Sequence, residues 1–138
     1  MSVIEWKEIY ATGILVLDNE HRRLIREINR LYLALRDKQG DEILDDVLLM
    51  LETYTREHFQ HEEALMAEYH YPGLAEHQQL HAKLISAVQE LKQRATQEKE
   101  GMAQELFHFL RTWLLEHILG VDKRYGPYLE SRGGRFIE

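Results

Sequence analysis

The chain has 138 residues, of which 44% are hydrophobic and 30% charged, as expected for one globular domain with its own core. Its formal net charge of −7 argues against binding to nucleic acid or to anionic lipid, because no basic field is available. The sequence has no cysteine, which excludes disulfides, thiolate zinc sites and thiol catalysis. No apolar segment is long enough to span a bilayer or to form a signal core, so we expect a cytoplasmic protein without membrane insertion.

The first half of the chain contains an N-terminal arm and two predicted helices. Asp18 is a residue type that caps helices, and apolar residues follow it at helical spacing until Gly40. Asp41 can begin a second helix, whose inward stripe runs over 44–65. We therefore predict a first helix that begins after Asp18 and a second that begins at Asp41.

The second half of the chain contains two further predicted helices. Pro72 is well placed to open the third helix, with an apolar face over 74–91 and a polar stretch, 93–101, at its end. The fourth helix has its apolar face over 106–117, and Gly120 loosens its end. No segment alternates apolar and polar residues with β-branched enrichment, so we expect no strands.

Short connections make sequential helices antiparallel neighbours. The sequence therefore predicts an all-α protein, an antiparallel up-down-up-down four-helix bundle. We expect a single domain over 1–138, with an N-terminal arm at 1–17, the bundle at about 18–122 and a short C-terminal extension at 123–138.

Five histidines and two acids fall on the inward stripes, near starts and ends of helices that alternate along the chain. Antiparallel packing would bring them to one end of the bundle, although the direction of the last acid is open. A single buried histidine is usually a hydrogen-bonded core residue, but five imidazoles have too few acceptors in two carboxylates. A metal centre would satisfy all of them. The candidate ligands are His21, His58, Glu62, His77, His81, His117 and Asp122.

The spacing of these residues supports chelation. Two pairs are four residues apart and so are adjacent on one helix face. His117 and Asp122 are five apart, which requires a π-type widening or an unwinding near Gly120. The pairs four apart are His58 with Glu62 and His77 with His81.

The donor set indicates two metal ions. Seven ligands are too many for one tetrahedral zinc, and imidazole with carboxylate suits iron or manganese. If both carboxylates and an oxo or hydroxo group bridge two octahedral ions, one position stays open for a diatomic ligand. A ferritin-like site is disfavoured, because it needs two Glu-x-x-His motifs. The one such motif, Glu105 with His108, lies away from the ligand-bearing end and is read as a solvated helix face.

Short motifs in a fixed order extend this pattern over most of the chain, from about Trp6 to Leu129. The arrangement resembles the hemerythrin family, specifically its single-domain bacterial members, the bacteriohemerythrins. The motifs are Asp18-x-x-His21, His58-Phe59-x-x-Glu62-Glu63, Tyr71-Pro72, His77-x-x-x-His81 and Trp113-Leu114-x-x-His117-x-x-x-x-Asp122-x-x-Tyr125.

This resemblance implies a non-haem di-iron centre, with an oxo or hydroxo bridge, that binds dioxygen reversibly for carriage or storage. Such a protein would not be an enzyme. A protein acceptor for its oxygen is possible, but the sequence does not identify one. Carried over by position, the six-coordinate iron would be held by His77, His81 and His117, and the iron with the open position by His21 and His58. The two irons would be bridged by Glu62 and Asp122. The oxygen pocket would be lined by Trp113 and Leu114.

Two alternative functions use the same centre. One is a sensor of oxygen or redox state that signals to a partner, and the other is iron handling or redox chemistry linked to peroxide or nitric oxide.

Several polar residues beside the ligands have no role in the pattern. Glu20 stands where many relatives have Gln and could tune the centre, and Glu63 is interpreted as a solvated or capping charge. His61 is expected to be exposed, although it shares a turn with two ligands, and His70 is expected in a surface loop.

Overall fold

A computed structural model describes residues 4–117, 124–125 and 127–128. Gly120, Asp122 and most of the predicted C-terminal extension lie outside these residues. The described part forms four α-helices and no strand, which confirms the predicted fold class. The helices are α1, Leu15–Arg36; α2, Gly40–Glu68; α3, Leu74–Gln97; and α4, Met102–Glu116, preceded by a 3₁₀ turn at Glu8–Tyr10.

The four helices pack as an up-down-up-down bundle. Helix α1 contacts α2 and α4, α2 contacts α3, and α4 closes the bundle against α3 while also contacting α2. The connections between the helices, 37–39, 69–73 and 98–101, are short enough to enforce antiparallel neighbours. Within the described ranges, no helix is long and apolar enough to cross a bilayer.

The prediction that Asp18 caps α1 is wrong, because the helix already begins at Leu15. The Asp18 carboxylate instead accepts hydrogen bonds from the backbone N–H and the hydroxyl of Thr12, both at 2.8 Å, and from the N–H of Gly13 at 3.3 Å. Gly13 has φ of +90°, a conformation that favours glycine. Asp18 therefore holds the turn that leads into α1.

Two other predicted helix starts are shifted. Helix α2 begins at Gly40, one residue before Asp41. A Cβ atom at Gly40 would lie 2.9 Å from the Cβ of Ala103, so glycine permits close approach to α4. Pro72 lies in the turn before α3 and does not open that helix, which begins at Leu74.

The N-terminal arm lies along α1. The backbone of Ile4 forms two hydrogen bonds with the Asn29 side chain, each 2.7 Å long. Farther along the arm, the Trp6 ring lies 4.3 Å from the guanidinium carbon of Arg22 and contacts Tyr10 edge-to-face. These contacts fix the arm to the first two-thirds of the helix.

Two apolar clusters fill the bundle, and the six predicted ligands that the structure describes lie between them. The large cluster occupies most of the interior, and the small one closes the end that carries the ligands. Along α1, for example, Leu17 belongs to the small cluster, Leu24 to the large one, and His21 lies between the two. The small cluster consists of Ile14, Leu17, Met66 and Tyr125.

Candidate metal centre

The structure brings six of the seven predicted ligands together at one end of the bundle. Each helix contributes: α1 near its start, α2 near its end, α3 in its first two turns, and the chain immediately after α4. The seventh, Asp122, lies outside the described residues. The exposed fractions are 1% for His21, 3% for His58, 0% for Glu62, 2% for His77, 1% for His81 and 4% for His117.

These six side chains form two groups that share Glu62. His21 and His58 make up the group with two histidines. His77, His81 and His117 make up the group with three histidines. In each group, one candidate ligand atom from every member lies within 4.8 Å of all the others. The sharing of one carboxylate is the geometry expected when a bridging ligand joins two ions.

The donor atoms converge on the two oxygens of Glu62. Its Oε1 lies 3.4 Å from Nε2 of His58, 3.9 Å from Nε2 of His77 and 3.2 Å from Nε2 of His81. Its Oε2 lies 3.6 Å from Nε2 of His21. Ring nitrogens from both groups therefore face one carboxylate.

The residues fit a bound cation. Among the described residues, neither Oε1 of Glu62 nor Nε2 of His81 forms a hydrogen bond, although both atoms are buried. Leaving buried polar atoms unsatisfied costs about 1–3 kcal/mol each. A cation coordinated by both would offset that cost, and imidazole with carboxylate, in the absence of thiolate, suits iron or manganese.

Two acidic residues orient the imidazoles of candidate ligands from outside. Glu20 Oε1 lies 2.7 Å from Nδ1 of His58, and Glu63 Oε2 lies 2.7 Å from Nδ1 of His81. An ionised carboxylate can only accept hydrogen bonds, so both histidines donate through Nδ1. In the neutral form of each ring, Nε2 then carries a lone pair directed at the centre, as metal-binding histidines require.

The interpretation of Glu63 as a solvated or capping charge is wrong. Its side chain is 27% exposed and reaches across from α2 to His81 on α3. Glu20 lies beside the two-histidine group, where tuning was predicted. Its second oxygen lies 2.7 Å from Nδ1 of His61, whose side chain is 58% exposed as expected.

The charges at the centre are mutually stabilising. Burial alone would raise the pKa of the Glu62 carboxyl, but the surrounding imidazoles, His58 foremost, hold that pKa well below its usual range. Burial likewise opposes charge on His58, yet the neighbouring Glu62 and Glu20 carboxylates raise its pKa. The pKa of Glu20 is lowered, because its contacts with His58 and His61 outweigh its partial burial. Glu62 and Glu20 are therefore held in the ionised form.

Aromatic rings pack directly against two of the candidate ligands. The Phe59 ring stacks on His81 with centroids 3.8 Å apart, and the Tyr54 ring stacks on His58 at 5.0 Å. The Tyr54 hydroxyl also donates to the backbone carbonyl of Glu20 at 2.8 Å. These rings restrict rotation of the imidazoles and exclude water.

The sequence assigned no role to Tyr125, yet its side chain is fully buried and its hydroxyl donates a hydrogen bond to Oε2 of Glu62. The ring also lies 5.5 Å from that of His77. Its position three residues after Asp122 in the motif was the available signal. Spacing alone could not show the contact, because Glu62 belongs to another helix.

His117 follows directly after α4 and adopts a π-type conformation. The rest of the step from His117 to Asp122, for which a π-type widening or an unwinding near Gly120 is expected, lies outside the described residues. Trp113 is buried with its ring 5.8 Å from that of His117. Both residues line a surface pocket of about 240 Å³ between α3 and α4, which the exposed Lys83 and Glu116 also line. The side chain of Leu114, the other predicted pocket residue, lies outside the described residues.

The remaining histidines are peripheral, as predicted. His108 is exposed, and so is Glu105, which pairs with Arg94 through two hydrogen bonds of 2.6 and 2.9 Å. This confirms that the lone Glu-x-x-His motif is a solvated helix face. His70 is exposed in the turn after α2, with φ of +55°.

A buried histidine and glutamate cluster at one end of a four-helix bundle defines a class of metal-binding protein. The profile of the Hemerythrin HHE cation binding domain matches residues 12–129. The chain is 34% identical to a bacteriohemerythrin of Stenotrophomonas maltophilia (strain R551-3), covering 99% of this chain and 88% of that protein. It is 35% identical to a bacteriohemerythrin of Pseudomonas aeruginosa (strain PAO1), covering 91% and 80%. A crystal structure of a hemerythrin with leucine replaced by alanine superposes with a TM-score of 0.83 at 27% identity, covering 94% of this chain and 98% of that one. The chain belongs to the hemerythrin family.

Proposed function

We propose that this protein binds dioxygen reversibly at a non-haem di-iron centre and so carries or stores oxygen. The sharing of Glu62 between a group of three histidines and a group of two carries this proposal. One shared carboxylate supports two adjacent ions, and the unequal histidine count leaves the two-histidine side short of one donor. That shortage would provide the open position for a diatomic ligand.

By resemblance to the family, two further groups would complete the donor set. Asp122 would be a second bridging carboxylate, and an oxo or hydroxo group would lie between the ions. Two irons bound there would supply a pair of one-electron redox partners and an open coordination position for dioxygen. Imidazole and carboxylate donors suit iron, and seven of them are too many for one tetrahedral zinc.

The residues around the centre have three tasks. Glu20 and Glu63 fix the tautomers of two imidazoles and direct Nε2 inward. The apolar clusters on both sides exclude water, which would compete for the open position and promote irreversible oxidation. Phe59, Tyr54 and Trp113 fill the space against the rings, so the donors are held in place before any ion binds.

The proposal is tested by metal analysis combined with an anaerobic-to-aerobic optical titration. We expect two irons per chain, and a charge-transfer spectrum that appears on oxygenation and disappears on purging with inert gas. A single ion, a different metal or a spectrum that does not cycle would contradict the proposal. Sustained turnover with peroxide or nitric oxide would indicate catalysis instead.

A matched pair of histidine variants tests the assignment of ligands. The His77→Ala variant should lose most of its iron, because it removes a buried donor 3.9 Å from the shared carboxylate. The His108→Ala variant removes an exposed histidine of α4 and should keep the iron content of the unmodified protein. Equal iron loading of both variants would refute the assignment.

A further inference from the structure

We propose that three tyrosines conduct oxidising equivalents from the metal centre to the protein surface. This tyrosine path consists of Tyr125, Tyr71 and Tyr128. It rests on the proposed function, because it requires iron at the centre, but it adds a protective redox role that oxygen carriage does not need. The path would remove oxidising equivalents before they damage the ligands.

The inner end of the path contacts the centre at two points. The Tyr125 hydroxyl donates a hydrogen bond to Oε2 of Glu62, and its ring lies 5.5 Å from that of His77. Tyr125 is fully buried, so its phenol is shielded from diffusible reductants. An electron given by Tyr125 therefore has to be replaced through the protein.

The next two rings lead outward. The centroid of Tyr71 lies 6.4 Å from that of Tyr125, and the centroid of Tyr128 lies 5.3 Å from that of Tyr71, both in edge-to-face arrangements. Tyr71 and Tyr128 are each partly exposed. The Tyr128 hydroxyl donates to the carbonyls of Tyr69 and His70, at 2.9 and 2.8 Å, in the turn between α2 and α3.

The redox steps balance with hydrogen peroxide as oxidant and an enediol such as ascorbate as reductant. Reduction of one peroxide to two waters takes two electrons and two protons, so the path operates twice. In each pass Tyr125 gives one electron to the centre, and its phenolic proton moves along the existing hydrogen bond to Glu62. Tyr71 then reduces Tyr125, which recovers that proton, while the proton of Tyr71 passes to water.

Tyr128 then reduces Tyr71 in the same way, so that Tyr71 takes a proton back from water and the proton of Tyr128 passes to water. Tyr128 is the last residue to be oxidised. Ascorbate restores it by donating one electron and one proton at the surface. The peroxide takes its two protons from water, to which the path returns one proton in each pass. Over two passes, one peroxide and two ascorbate monoanions therefore give two waters and two ascorbate radical anions. All three phenols and Glu62 end in their starting states.

Electron paramagnetic resonance of freeze-quenched samples tests the path in the iron-loaded, full-length protein. With one equivalent of hydrogen peroxide, the unmodified protein should show a tyrosyl radical that ascorbate removes. The Tyr125→Phe variant should lose this radical. In the Tyr71→Phe variant the radical should still form on Tyr125, but ascorbate should no longer remove it rapidly. Peptide mass spectrometry should then show more oxidation of the ligand histidines in both variants.

Three further variants make the test specific. Tyr128→Phe should slow removal of the radical by ascorbate without preventing its formation. Tyr32→Phe changes a partly exposed tyrosine of α1, whose ring packs beside that of Phe107, and should behave like the unmodified protein. Tyr54→Phe removes a second buried phenol that stacks on a ligand. Loss of the radical in Tyr54→Phe alone would overturn the proposal, as would equal radical yields and ascorbate responses in all variants.

The same samples separate this proposal from the proposed function. Iron retention and a Tyr125-dependent radical without reversible oxygenation would refute oxygen carriage and support the path. Reversible oxygenation without such a radical would refute the path alone, and absence of bound iron would refute both. Should Tyr125→Phe load iron poorly, Tyr71→Phe and Tyr128→Phe still decide the matter, because neither change removes the hydrogen bond to Glu62.

Discussion

Replacement of Glu63 by alanine isolates the contribution of a carboxylate that binds no ion itself. The native side chain accepts a hydrogen bond of 2.7 Å from Nδ1 of His81 and is 27% exposed. A hydrogen bond to a charged group contributes about 1.5–3 kcal/mol, and every 1.4 kcal/mol corresponds to a tenfold change in affinity. Because partial exposure weakens this bond, we expect iron affinity to fall by about tenfold, the lower end of the range for such residues.

The measurement is a competition titration of iron against a chelator. Glu63→Gln keeps an acceptor oxygen but removes the charge, so its affinity should lie between those of Glu63→Ala and the unmodified protein. Glu57→Ala removes an exposed carboxylate from the same helix and serves as the control. If Glu63→Ala and Glu57→Ala bind iron equally well, the carboxylate does not orient His81 for metal binding.

Urea unfolding of four variants tests the account of the fold, three at buried positions and one at an exposed control position. Leu51→Ala empties a fully buried position and should lower the free energy of unfolding by about 2–5 kcal/mol, whereas Leu49→Ala, at 59% exposure, should change it by about 0.5 kcal/mol or less. Gly40→Ala should lower it by about 1–3 kcal/mol, because the new Cβ would lie 2.9 Å from α4. Asp18→Ala should lower it by a similar amount, about 1–3 kcal/mol, since it leaves the buried donors of Thr12 without their acceptor. If the Leu51, Gly40 or Asp18 variant unfolds at the urea concentration of the unmodified protein, the contact assigned to that residue is refuted.

The position of the centre could be predicted because helical periodicity and antiparallel order together determine it. His21, Glu62 and His77 lie on inward stripes, at helix ends that alternate along the chain, so any up-down-up-down bundle brings them together. This argument needs no side-chain detail. It depends only on the spacing within each helix and on short connections.

Glu63 and Asp18 could not be predicted, because their partners depend on the packing between segments. The position of Glu63 shows that it points about 100° away from Glu62, but not that α3 lies in that direction. Asp18 is as suitable for a helix cap as for a first-turn acceptor, and the backbone of Thr12 and Gly13 decides between the two. Spacing along one helix contains no information about the neighbouring segment.

Because the donors come from all four helical segments, the candidate centre is also a cross-link at one end of the bundle. Detachment of any one helix would remove at least one donor from an ion bound there. Ion release and helix detachment are then thermodynamically linked, so the stability of the bundle rises with the free concentration of its metal. Chelation should therefore loosen the four helices together at this end, while the large apolar cluster holds the opposite end.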